Sequence, residues 1–267
     1  MIHQFACVHP DARIGENAVI EPFVNIAGDV VIGDGTHVMS NAVIMDGSRI
    51  GKNCKIFPGA VIAGIPQDLK FEGEYTTVEI GDNTTIRECV TVNRGTKAKN
   101  KTVVGSNCLL MAYAHVAHDV KIGDNCVLVS HTGIAGEVEI GDWVIISGGT
   151  LVQQFVRIGD HAMIGGACSV RKDVPPYVRA ARDPMTYVGV NSVGLRRRGF
   201  TNEKIWEIQD IYRELYQKDM NHSEALKYIE ENYPPCEERD NIVNFVRSSK
   251  RGIMKGAASG SEKGDDD

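Results

Sequence analysis

The sequence predicts an all-β solenoid with three short parallel strands to each coil, followed by a small α-helical segment. Three observations carry that reading. Ile-Gly, or once Val-Gly, followed by a polar pair recurs at Ile14, Ile32, Ile50, Ile80, Val104, Ile122, Ile140 and Ile158, an 18-residue spacing broken only twice. Within each 18, an aliphatic residue returns every six places, from Ile2 to Ile62, from Ile80 to Val92 and from Val104 to Val170. Four places after each aliphatic residue stands a small or β-branched one, as at Ala42, Cys54, Ala114, Val120, Thr132 and Cys168.

A helix needs apolar spacing near 3.6 and a free-standing sheet a spacing of two. A strict six, with one large and one small inward residue, fits short strands joined at tight corners. Three hexads then close one triangular coil, and coils stack at about 4.8 Å, each burying its aliphatic residues on its neighbours. The two broken intervals mark inserted loops near residues 64–78 and 94–102, within a solenoid domain of residues 1–190. Four cysteines, Cys54, Cys108, Cys126 and Cys168, fall in the small inward column and read as core fillers.

Beyond residue 190 the period stops, and residues 191–253 read as a helical domain. Residues 202–219 place Ile205, Ile208, Ile211, Tyr212, Leu215 and Tyr216 on one face of an amphipathic helix. Asn221 with Glu224 forms a capping-box pattern for a second helix, which must end before Pro234–Pro235. A third helix is expected from Glu237 to Arg251. The tail 254–267, MKGAASGSEKGDDD, is small, polar and charged, and is expected to be disordered.

Composition narrows the function. The chain has 267 residues, is 42% hydrophobic and carries a net charge of −6, which argues against broad nucleic-acid binding. It has no apolar run of 18 and no basic-then-apolar leader, so a cytoplasmic location without membrane insertion is expected. Seven cysteines, an odd number without an export signal, argue for reduced thiols.

The stretch MAYAHVAHDV, residues 111–120, puts His115 and His118 three apart with Asp119 after the second. Alone it fits a metal site, a catalytic base or plain packing. The hexad frame makes His118 a third-column residue that faces outwards, with Gly136 and Gln154 one and two coils later in the same column. An outward imidazole, an adjacent carboxylate and a stacked glycine whose N–H could meet an oxyanion favour chemistry.

The hexads resemble those of the acyltransferases built on a left-handed parallel β-helix. The left hand is implied by that resemblance alone, since crossover physics favours the right hand. PQDLK (66–70), AHVAHD (114–119), IAG (134–136), QQF (153–155), DVPPYV (173–178) and GVNSVGLRRRGF (189–200) resemble, in order, the motifs of UDP-N-acetylglucosamine O-acyltransferases. The resemblance spans residues 1 to about 253. It implies transfer of an (R)-3-hydroxyacyl group from acyl carrier protein to the glucosamine 3-hydroxyl of UDP-N-acetylglucosamine, the opening step of lipid A synthesis. By the same resemblance His118 is the general base, Asp119 holds its ring and the Gly136 N–H stabilises the oxyanion. Gln67, Asp68 and Lys70 would contact the acyl hydroxyl and the sugar, with His115, Glu137 and Gln154 lining the pocket. Asn191 would read the uracil side, and Arg197 and Arg198 the phosphates. Met163 and Gly166 would limit acyl length, the glycine leaving room for a long chain. No metal is expected, nor any cofactor beyond the phosphopantetheine on the donor, and the resemblance implies a homotrimer with sites between subunits.

Glu137, Gln153, Asn93 and Val193 depart from the residues familiar in that family, which bears on the sugar and uridine contacts. Three rivals share the architecture. The pathway's N-acyltransferase normally carries an extra N-terminal domain, whereas the hexads here begin at Ile2. A γ-type carbonic anhydrase would need a third histidine beside His115 and His118, but His131 and His161 fall in other columns. A purely structural solenoid would need flat, regular outer faces, and these are mixed and interrupted.

Overall fold

The computed structural model describes residues 1–217 and 220–256. In the periodic region no strand pairs with the next; each pairs in parallel with the third one on. Three sheets result: a nine-stranded first sheet from Cys7–Val8, an eight-stranded second from Arg13–Ile14 and an eleven-stranded third that includes Val19–Ile20. The usual step between partners is 18 residues, as in Cys7↔Asn25 and His115↔Gly133. The chain therefore runs first, second, third and back, turning a corner after each strand.

The aliphatic column fills the interior: Ile20, Ile26 and Ile32 are each 1% exposed. The small column sits beside it, and Cys54, Cys108, Cys126 and Cys168 are all buried there as free thiols. Burial pushes the Cys54 thiol up from its ordinary pKa, as expected of a thiol used as an apolar filler.

The corners explain the polar pair after each Ile-Gly. The fourth residue of many hexads is left-handed; Asn17, Asn41, Asn53, Asn83, Asn107 and Asn125 have φ between 53° and 64°. Asparagine tolerates that conformation better than most residues with a side chain. The third residue's N–H falls outside the ladder and needs another acceptor. At the second-to-third corner an aspartate one coil later supplies it: Asp124 Oδ1 accepts from Ser106 N at 2.7 Å, Asp142 from Asp124 N at 2.8 Å and Asp160 from Asp142 N at 2.8 Å.

Both insertions leave the coil at another corner, after the first-sheet strands Val61–Gly64 and Thr91–Asn93. They are tied together where Glu74 accepts from Lys97 N at 2.9 Å.

The hexads end at Ser169–Val170; Val178–Ala181 then adds in parallel to Met163–Ile164, and Thr186–Val190 folds back on it antiparallel. Among the described residues four helices follow: α1 (Ser192–Arg197), α2 (Asn202–Gln217), α3 (His222–Asn232) and α4 (Glu237–Ser248). Ile205, Ile208, Ile211, Tyr212 and Leu215 are buried, and the Asn221–Glu224 capping box is formed. Tyr212 donates to Pro176 O at 2.6 Å, fastening α2 to the end of the coil. The six-residue α1 was not expected, being too short to show an apolar period. The expected helix to Arg251 stops at Ser248, and the expected disordered tail begins too early at 254. Met254 is 1% exposed, its N–H bonds Asp173 O at 3.0 Å, and Lys255–Gly256 pairs with Thr186–Tyr187. The apolar pair Ile253–Met254 is reason enough for the chain to stay packed there. The rest of that tail, and the end of the first expected helix at 218–219, lie outside the described residues.

Candidate active site

His118 follows the first-sheet strand His115–Val116 and so stands on the first-to-second corner, the corner from which both insertions spring. It points away from the prism core, yet it is only 8% exposed. The outward direction is the expected one, and the cover was not foreseen: the first insertion folds over the ring, with Asp68 Oδ2 3.9 Å from Nε2. Hexad periodicity reports which way a side chain leaves the coil, not what an inserted loop lays on top.

Asp119 is left-handed, with φ 61°, and fully buried. Its Oδ2 lies 2.9 Å from His118 Nδ1. Its carboxylate also accepts from Thr96 N at 2.9 Å, Thr96 Oγ1 at 2.6 Å and Lys99 N at 3.1 Å, all from the second insertion. A carboxylate only accepts, so the ring proton belongs on Nδ1 and Nε2 is left as a bare base.

Gly136 lies one coil on, against the same ring. A Cβ built there would stand 2.5 Å from His118 Nε2 and Cε1, so only glycine lets the ring occupy this place. The ladder bonds on either side belong to Ala135 N, to Val152 O at 3.1 Å, and Glu137 N, to His118 O at 3.0 Å. Gly136 is thus in the third column, whose N–H at the second-to-third corner is closed by an aspartate from the next coil. The residue in that place is Gln154, and no side chain among the described residues caps the Gly136 N–H. An uncapped donor beside a bare imidazole nitrogen is an arrangement for accepting a proton and holding an oxyanion.

The remaining expected residues divide among the corners. Gln67 and Lys70 are exposed on the first insertion, while Asp68 is half-buried and accepts from Lys70 N at 3.0 Å. His115 lies in the first sheet with Nδ1 2.7 Å from Thr91 Oγ1, and burial lowers its pKa from the ordinary imidazole value. Glu137 and Gln154 are half-buried at the His118 corner, and Asn93 there is 6% exposed. Asn191 has a structural role that its sequence context did not announce. It is 2% exposed and its amide is taken on both sides, donating to His161 O at 2.9 Å and accepting from Gly194 N at 3.2 Å as the α1 cap. The sequence does not distinguish a cap asparagine from a ligand-reading one.

Arg197 is exposed, and Arg198 lies over the Trp143 ring at 5.3 Å and donates to His161 Nδ1 at 3.2 Å. Trp143 and His161 are second-to-third corner residues, so the arginines and His118 stand on different corners of one chain. Met163 lies in the third sheet and Gly166 on the third-to-first corner. A Cβ on Gly166 would meet nothing nearer than Gly148 O at 3.3 Å. The left-handed residue of that corner is Ala167, with φ 53°, so backbone conformation does not demand glycine at 166. Among the described residues no group of three or more His, Cys, Asp or Glu side chains is placed to hold a metal ion, and His131 stacks instead on Tyr113 at 5.1 Å. The sequence reading missed Thr96 altogether, because nothing in the spacing ties a loop residue to Asp119.

Comparison with known proteins gives a consistent picture. Residues 173–254 match the family model of UDP-N-acetylglucosamine O-acyltransferase domain 2, and residues 101–136 that of the bacterial transferase hexapeptide. Residues 2–106 match a GMPPB C-terminal domain model. The chain is 57% identical over 201 residues, 75% of its own length and 74% of the relative's, to the acyl-(acyl-carrier-protein)–UDP-N-acetylglucosamine O-acyltransferase of Sulfurihydrogenibium sp.. It is 42% identical over 258 residues, covering 96% and 92%, to the enzyme of that name from Chlamydia abortus. The crystal structure of a UDP-N-acetylglucosamine acyltransferase from Bacteroides fragilis superposes with TM-score 0.94 at 53% identity, covering 96% of this chain and 100% of that one.

Proposed function

Because this chain belongs to the family of UDP-N-acetylglucosamine O-acyltransferases that draw on acyl carrier protein, we infer that His118, Asp119 and Gly136 carry out that acyl transfer. The reaction opens lipid A biosynthesis. The donor is an (R)-3-hydroxyacyl thioester on the phosphopantetheine of acyl carrier protein, and no other cofactor takes part. His118 Nε2 removes the proton of the glucosamine 3-hydroxyl as its oxygen attacks the thioester carbonyl. The Gly136 N–H donates to the tetrahedral oxyanion. Collapse expels the pantetheine sulfur, which takes the proton back from the imidazolium, and Asp119 supports the ring while it is charged. A positioned base contributes roughly 10²–10⁴-fold and one oxyanion donor about 3 kcal/mol. The observation that carries this reading is the bare Nε2 beside an uncapped N–H, on the one corner overlaid by the insertions.

Gln67, Asp68 and Lys70 fit contacts to the acyl hydroxyl and sugar, with His115, Glu137 and Gln154 around the pocket. Arg197 and Arg198 suit phosphate oxygens, since guanidinium forks match them; Asn191 then acts by starting the helix that carries them. The coil is the left-handed parallel β-helix that the hexapeptide resemblance implies. Substrate-binding arginines and catalytic base on separate corners support a homotrimer in which each site joins corners of two neighbours. Exposed apolar side chains on and beside the first sheet, Leu151 at 60% and Phe155 at 49%, suit such a contact. A monomer by light scattering would overturn the trimer. Incubation with UDP-N-acetylglucosamine and a panel of 3-hydroxyacyl carrier proteins, read by mass spectrometry, tests the reaction; absence of an O-acylated product would refute it.

Met163 and Gly166 are proposed to end the acyl groove, with glycine admitting a chain of about fourteen carbons or more, at roughly 0.8 kcal/mol per buried methylene. Gly166→Met is expected to shift preference toward shorter donors about tenfold, which corresponds to a clash of about 1.4 kcal/mol. Competition between long and short donors measures this. An unchanged ratio would remove Gly166 from any role in chain length.

A further inference from the structure

We propose that Thr96, in the second insertion, is a positioning residue for the base, acting through Asp119; the proposal rests on the reading of His118 as that base. Thr96 is 5% exposed and touches Asp119 twice, through its N–H to Oδ1 and its hydroxyl to Oδ2. The hydroxyl also accepts from Ala98 N at 3.2 Å. With an N–H donated to it and a carboxylate that can only accept, its single proton has one place to go, Asp119 Oδ2. That is the same oxygen that receives His118 Nδ1–H. Lys99 N fills the second place on Oδ1.

The carboxylate is therefore held by three donors from one short loop, and its last hydrogen bond goes to the imidazole. This follows the way outer partners orient a functional histidine through a carboxylate. Rotation of the carboxylate would break its loop contacts, and drift of the ring would break its bond to the carboxylate so held. The loop is braced in turn: Asn100 N bonds Thr96 O at 2.7 Å, Lys97 N bonds Glu74 of the first insertion, and Lys99 Nζ pairs with Glu139 at 2.9 Å. A Cβ on Gly95 would stand 2.3 Å from Lys101 N, so the loop closes tightly just before Thr96.

Thr96→Val keeps the shape and removes the hydroxyl. It is expected to lower kcat about tenfold or more with little change in KM, because the loss falls on base orientation and not on substrate contacts. Thr96→Ser, which keeps the hydroxyl, is expected to retain most activity. The decisive measurement is the double variant: in an Asp119→Asn background the Thr96→Val change should add little, since the two act as one unit. Full additivity, a KM effect alone, or unchanged kcat in folded Thr96→Val each overturns the proposal. Thermal melting reports folding, and Thr96→Ala is read in the same cycle if the valine is not tolerated. His118→Ala measured alongside separates the two levels: if it stays active the base assignment falls, and if it is inactive while Thr96→Val is normal only the role of Thr96 falls.

Discussion

Replacing His118 by alanine is expected to lower kcat at least about 100-fold while the protein still folds. The loss should fall on kcat more than on KM, because the imidazole takes a proton only as the hydroxyl attacks. Some destabilisation accompanies it: the ring is 8% exposed, and its removal leaves Asp119 Oδ2 with Thr96 as its remaining partner. Leaving a buried polar group short of partners costs about 1–3 kcal/mol. Melting curves therefore belong beside the kinetics. Turnover near that of the unaltered protein would end the assignment, and a much worse His115→Ala would exchange the two roles. The latter outcome would be hard to reconcile with the Nδ1 of His115 lying 2.7 Å from the Thr91 hydroxyl, where His118 Nδ1 has the Asp119 carboxylate that the second insertion holds.

Gly136→Ala is expected to be at least as severe, about 10²–10³-fold in turnover. Two losses coincide at this position. A methyl 2.5 Å from Nε2 and Cε1 forces the ring to move, and the ring cannot move far without stretching its 2.9 Å contact to Asp119. The same methyl crowds the space in front of the N–H proposed to hold the oxyanion. Gly136 is not among the left-handed residues, so alanine meets no backbone objection and the fold should survive. A folded Gly136→Ala protein of ordinary activity would show that neither the ring position nor this N–H matters.

The sequence carried the coil because solenoid packing repeats: every 18 residues the same inward and outward places return, so an aliphatic residue at Ile122 and one at Ile140 report the same fact. It carried the corner proposed here as catalytic because His118, Gly136 and Gln154 share a column. What it did not carry is whatever lies outside the repeat. The cover over His118 comes from Asp68 in one insertion, and the clamp on Asp119 from Thr96 and Lys99 in the other, at sequence separations no period encodes. The capping role of Asn191 was hidden for a related reason, since the amide that can read a base is equally able to cap α1. The aspartate column was visible as polar and outward, but its purpose, closing the N–H groups that the ladder omits, required the hydrogen bonds themselves.

The fixed register of partners, such as Glu139↔Arg157 and Met163↔Ile145, also sets how this protein can be altered. Adding or losing a single residue inside a coil would turn every later aliphatic side chain out of the interior, whereas a whole coil of 18 could be spliced in with the interior unchanged. Positions along the axis are thus discrete, in steps of about 4.8 Å. Hydrocarbon tails, by contrast, vary in increments far smaller than such a step. A scaffold of this kind has no means of sliding its backbone to suit a slightly longer guest, and fine adjustment is left to the bulk of individual side chains at fixed heights. Coarse and fine changes to this scaffold are therefore separable, one residing in the number of coils and the other in single substitutions.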